Sequence, residues 1–212
     1  LGLDLTVALP LQTGGIDLRL GELMRLRGRL REGTPFAGVA SFGDVPDEDL
    51  PERGLVAVGQ VPVLDAAGWA AFALSGHAGE GGLQRADLHA GELDVLDRAF
   101  AETRLSLTRE PGGDFALGFA GDVLQGRLDI PTTDIATRGI TARFERLHWP
   151  SRAPRADSAL SHADPALIPP LHLSVDDFRF GDAQLGETRL ETYPTPEGMH
   201  VEKLDTTSSD LT

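Results

Sequence analysis

Short segments that alternate apolar and polar residues recur along this chain, and they confine it to β structure with one greasy face. Leu1, Leu3, Leu5 and Val7 stand at every second position. So do Phe115, Leu117 and Phe119, then Ile140, Ala142 and Phe144, then Leu171, Leu173 and Val175. Leu124, Leu128 and Ile130 keep the same parity. A period of two sends alternate side chains to opposite faces of a sheet. One face is therefore apolar and the other wet. What the apolar face touches becomes the first question about function.

The predicted strands follow at hairpin intervals. Residues 1–9 form the first, and Ile16, Leu18 and Leu20 continue after the Gly14-Gly15 turn. Residues 21–32 fit either a helix, through Leu23 and Leu30, or a strand, through Leu26, Gly28 and Leu30. A short extended piece at 39–42 precedes a polar loop at 44–53 that carries two prolines, and a strand covers 55–61. Further strands are predicted at about 83–95, 101–109, 114–120, 122–130, 139–149, 171–180, 184–192 and 198–205. Pro111-Gly112-Gly113 and Pro196-Glu197-Gly198 supply turn chemistry between them. This spacing predicts a curved antiparallel sheet running through residues 1–212 as one continuous segment.

Two stretches break the alternation. Asp65 is placed to cap a short helix over about 65–74, with Trp69, Phe72 and Ala73 on one face. Residues 150–164 are polar and aperiodic, which predicts a mobile loop, and Asp164-Pro165 is placed to open a single helical turn. Two strands also change phase: Phe144 is followed by Leu147, and Val175 by Phe178. A bulge or a twist accommodates such a shift and reads as a bend in a curved sheet, while a crossing between two packed sheets would produce the same signal.

Composition narrows the function classes. The chain has 212 residues, 41% of them hydrophobic, enough to bury a core. A formal net charge of −14 disfavours nucleic acid and a polybasic grip on anionic membranes. With no cysteine, disulfides and thiolate metal sites are excluded. No apolar run approaches the roughly 18 to 20 residues that span a bilayer. The chain begins on an alternating strand with no signal-peptide pattern, and reads as a piece of something longer.

No cluster announces chemistry. His172 with Asp176, and His200 with Glu202, lie on the polar side of strands, and no third metal ligand has a recognisable spacing. Asp176-Asp177, and Asp47, Glu48 and Asp49, lack the alternation of a calcium loop and read as solvated acids. Ser208-Ser209-Asp210 has no glycine-bounded elbow around it. The Gly76–Gly82 loop lacks a phosphate-cradling lysine. Trp69 and Trp149 read as packing residues. The expectation is a protein that is not an enzyme and needs no cofactor or metal.

An ordered set of pieces resembles a known family. They are Phe42-Gly43 before the proline-bearing loop, the run from Gly54 to Trp69, Arg143 to Pro150, Asp164 to Gly181, and Leu185 to Thr192. Their order and spacing resemble the C-terminal region of the AsmA-like proteins typified by YhdP, from about residue 16 onward. The resemblance implies a U-shaped β-groove with an apolar inside, in the periplasm of a Gram-negative cell. It further implies an inner-membrane anchor outside this segment, and a role in moving phospholipid between inner and outer membranes that supports the outer-membrane barrier. The groove residues expected from the alternation are Leu105, Leu107, Phe115, Leu117, Phe119, Leu171, Leu173 and Val175. The implied partner is phospholipid or another acyl-chain lipid, with no nucleic acid, and membrane contact made elsewhere in the protein. Two other classes stay open: a closed β-sandwich serving as a structural module, and a carbohydrate-active β-domain, for which no convergent carboxylate pair is visible.

Overall fold

The computed structural model describes residues 5–8, 14–30, 32–66, 68–69, 82–151, 169–195 and 198–208. They form a single sheet of thirteen strands in strict sequence order. The strands are β1 (Leu5–Ala8), β2 (Gly15–Leu20), β3 (Met24–Arg29), β4 (Ala37–Phe42) and β5 (Gly54–Asp65). Then come β6 (Leu83–Val95), β7 (Arg98–Arg109), β8 (Phe115–Ala120) and β9 (Leu124–Ile130). The last four are β10 (Ile140–Trp149), β11 (Leu171–Phe180), β12 (Ala183–Thr195) and β13 (Gly198–Thr207). The alternation therefore marks strands throughout. It also settles residues 21–32: Leu26 pairs with Leu18 and Ala40, while Leu23 stands exposed at the turn.

The sheet is mixed, where the alternation led to an expectation of antiparallel pairing throughout. β4 with β5, β5 with β6, and β10 with β11 run parallel. Parallel neighbours need a connection of about a dozen residues or more to return the chain. The three parallel joints are bridged by residues 43–53, 66–82 and 150–170, which are the longest connections between strands. The first of these crosses the polar face. Arg27 donates to the Glu48 carbonyl at 2.6 Å and Arg29 to the Pro51 carbonyl at 3.3 Å, while Arg25 pairs with Asp47 and Arg85 with Glu48. Beneath it Val39 and Val56, which point to the otherwise wet side, are buried.

The second connection starts on the apolar face. Ala66, Gly68 and Trp69 are helical, and the Gly68 N–H donates to Asp65 Oδ1 at 3.0 Å, the bond expected of a helix cap. Trp69 meets Phe42 edge-on, with ring centroids 6.1 Å apart. The rest of the helix expected at 65–74, namely Ala67 and residues 70–74, lies outside the described residues. So do residues 152–164 of the expected mobile loop, the turn expected after Asp164, and most of the Gly76–Gly82 loop. A four-residue helix that the sequence did not announce, α1 (Ile135–Arg138), separates β9 from β10. It starts at Asp134 in the left-handed region (φ 54°) with no side-chain cap, so neither a capping signal nor a periodic face advertises it.

Two creases run across the sheet. The pairing omits Pro62, Gly91 and Glu102 on β5, β6 and β7, which lie level with one another. Glu102 takes a positive φ of 45° there. The apolar set shifts phase at that level, from Ala90 and Thr103 to Leu93 and Phe100, and all four are buried. The second crease omits Glu145 and Asp176 between β10 and β11, with register shifts against β9 and β12 at the same places. These are the two phase changes read from Phe144–Leu147 and Val175–Phe178. Beyond the creases the strands lean toward each other over the short β8 and β9. In a flat sheet β7 and β10 would stand about 14 Å apart, three inter-strand spacings. Yet the rings of Phe100 and Trp149 meet edge-on at 5.8 Å between centroids.

Candidate functional site

The register turns the alternation into one surface. Follow the cross-strand partners on the inner face from β2 to β13. They are Leu18, Leu26, Ala40, Ala57 and Ala86, then Leu107, Leu117, Leu128, Ala142, Leu173, Leu190 and Leu204. Each of these strands contributes one residue, and every one is apolar. The adjacent outer row begins Arg19, Arg25 and Ser41 and ends Arg127, Arg143, Ser174, Arg189 and Asp205. A one-residue slip at any joint would have mixed the two rows.

A second inner row runs beside the first. Leu88 pairs with Leu105, Leu105 with Phe119, Phe119 with Gly126, Gly126 with Phe144, and Phe144 with Val175. Glycine lies between the two phenylalanines, and their rings close over it with centroids 6.1 Å apart. A Cβ at Gly126 would stand 2.5 Å from the Arg143 carbonyl oxygen and against the Phe144 ring. At its far end the row turns polar, with Thr188 opposite Val175 and Thr206 opposite Thr188.

The eight residues expected to line a groove all lie on this face and pack in one apolar cluster. Leu105, Leu107, Phe115, Phe119 and Val175 are buried; Leu117, Leu171 and Leu173 are half-buried. Accessibility varies along the surface. Leu88 and Leu93 at the middle are 0% exposed, whereas Leu204 on the last strand is 61% exposed. Near the first strands an apolar cleft of about 480 Å³ opens among Met24, Leu26, Phe36, Ala40, Phe42, Leu55 and Trp69. Alternation alone could not name Leu18, Leu26, Ala57, Ala86, Leu190 or Leu204 as members of the same surface. That assignment requires the pairing between strands, although each shows the same period of two.

The outer face is laced with ion pairs. A hydrogen bond from Arg25 holds the Asp17 carboxyl below the ordinary carboxylate value. Arg104 does the same for Asp87, Arg138 for Asp114, and His148 for Asp177. The acidic clusters noted in the sequence belong to this lacing: Asp47 faces Arg25 and Arg27, and Asp177 faces His148 and Arg179. His200 stacks on Tyr193 at 4.8 Å between centroids. Among the described residues no three His, Asp or Glu side chains gather where a metal could sit.

A family model described as YhdP protein matches residues 1–212. The chain belongs to the YhdP family. No curated protein and no solved structure matches it. Membership agrees with the AsmA-like resemblance read from the sequence, and ties the chain broadly to lipid transport.

Proposed function

We propose that this chain is a non-catalytic stretch of a lipid path, along which phospholipid acyl chains pass over the inner face of the sheet between the inner and outer membranes. The protein would stand in the periplasm, anchored to the inner membrane by a part outside this segment, and would support the outer-membrane barrier. The observation that carries the reading is the unbroken apolar row, one residue from each strand from β2 to β13. An ordinary core needs apolar residues only where its two layers meet. A path needs them at every step. Each CH₂ withdrawn from water contributes roughly 0.8 kcal/mol, so a continuous row holds an acyl chain without polar recognition.

A closed interior is the second reading, and the burial of Leu88, Leu93, Phe100 and Val175 favours it. Aspartate placed at Leu117, and separately at Leu173, in the full-length protein separates the two. In a lipid-filled path the carboxylate recruits water, so the fold survives while lipid crossing fails and outer-membrane permeability rises. In a closed core each change buries an unpaired charge and unfolds the sheet. Normal folding with an intact permeability barrier would refute conduction through this segment.

A further inference from the structure

We infer that the apolar path narrows at its first strands to a lane one unbranched chain wide, with Phe36 as one wall and Phe42 with Trp69 as the other. The inference rests on the acyl-path reading above and adds the residues that decide how thick a chain is accepted. The lane is the cleft of about 480 Å³ over β3, β4 and β5. Its floor holds Leu26 and Ala40, which pair in register and belong to the apolar row. The row therefore runs through the cleft rather than beside it.

Three levels of the β3–β4 pair build the lane. On one side of the floor, Gly28 pairs with Gly38, and both lie two residues along from Leu26 and Ala40 on the same inner face. The Phe36 ring lies over that glycine pair. A Cβ at Gly28 would stand 2.8 Å from Phe36 Cε2, and one at Gly38 would stand 2.5 Å from Phe36 Cζ. Packed carbon atoms keep roughly 3.5 to 4.0 Å apart, so the ring can take this seat only because both positions are glycine. On the other side of the floor, Met24 pairs with Phe42. Trp69 meets Phe42 edge-on there, and the Gly68 N–H bond to Asp65 fixes the turn that carries it. The two walls stand on levels about 14 Å apart along the strands, and the rings of both line the interval between them. Side chains that merely closed a core would fill such a space; among the described residues it stays open. A chain that follows the row crosses the strands and so passes between the walls. Methyl branches thicken a chain, and walls held in place on both sides resist the added groups as a packed core resists overpacking.

The test uses cis-parinaric acid, a straight fluorescent acyl chain, bound to the full chain. It is displaced by palmitic acid or by phytanic acid, whose backbone is as long but carries methyl branches. Palmitic acid should displace it at about tenfold lower concentration. Trp69 stands on a connection and Phe36 ahead of β4, so truncating either leaves the sheet pairing in place. Trp69→Ala and Phe36→Ala should each admit phytanic acid and bring the two acids to near equality. Melting temperature is measured alongside, and a variant that fails to fold is replaced by leucine at the same position, with a partial loss of preference expected. If the parent shows no preference, or if either truncation leaves the preference at the parent's value, the two-walled lane is wrong while the acyl path stands. Loss of affinity for both acids by the same factor in each variant would make the aromatic residues plain structural support and would also overturn it. If the parent binds no cis-parinaric acid, lane and path fall together.

Discussion

Replacing Phe100 with alanine tests whether the two creases bring a packed interior together. Phe100 is 1% exposed and meets Trp149 from three strands away. Truncating a buried phenylalanine costs about 3 to 5 kcal/mol, the edge-on aromatic contact included. For a chain of this size, 1 kcal/mol corresponds to about 2 to 4 °C in melting temperature. A fall of roughly 10 °C is the expected outcome. Phe180 is the matched control: it pairs in register with Trp149 but is 51% exposed. Phe180→Ala should cost less than about 1 kcal/mol. Urea unfolding of the three proteins, followed by tryptophan emission and circular dichroism together, measures both differences. If Phe100→Ala costs no more than Phe180→Ala, the inner face is not packed there, and the account of how the sheet closes is wrong.

The other expected outcomes concern single contacts and pH. Gly126→Val forces a side chain between Phe119 and Phe144 and should cost about 1 to 3 kcal/mol by overpacking, read by the same denaturation. Asp65→Ala removes the acceptor of the Gly68 N–H and should cost about 1 kcal/mol, with loss of the Trp69–Phe42 contact visible as a red shift of emission. Asp17, Asp87, Asp114 and Asp177 all titrate below the ordinary value of 3.8 in the fold. Because the folded state favours their charged form, their contribution is complete above that value and is lost as pH falls through the lower folded values. Melting temperature should therefore hold from neutral pH to about 4.5 and drop below it, by modest amounts because these pairs face solvent. A drop that begins near pH 6 would implicate histidines instead.

The sequence reading and the structure part company for definable reasons. β6 and β11 fall where the alternation puts them, at Leu83–Val95 and Leu171–Phe180. Both phase changes appear as register shifts within one continuous sheet rather than as a crossing between two packed sheets. The parallel joints were not legible, since a parallel strand and an antiparallel strand share the same period of two. Their only trace was the length of residues 43–53, 66–82 and 150–170. Val39 and Val56 are buried on the polar face because a loop clamped by arginines crosses them, which no strand pattern can foretell. The inner-face residues could be read strand by strand, but their union into one surface depended on pairings between strands that single segments do not encode.

Strict sequence order makes the sheet a ruler. At about 4.8 Å between strands, thirteen strands mark out roughly 58 Å measured across the sheet. Among the described residues no strand is inserted out of sequence order, so any two neighbouring hairpins could be separated by a third without rewiring the rest. Adding a hairpin would lengthen the row by roughly 10 Å, and deleting one would shorten it by as much. Span is therefore set by counting hairpins rather than by redesigning a core. The limits on that freedom are the two creases and the Phe100–Trp149 bridge, where strands that are not neighbours have come to depend on one another.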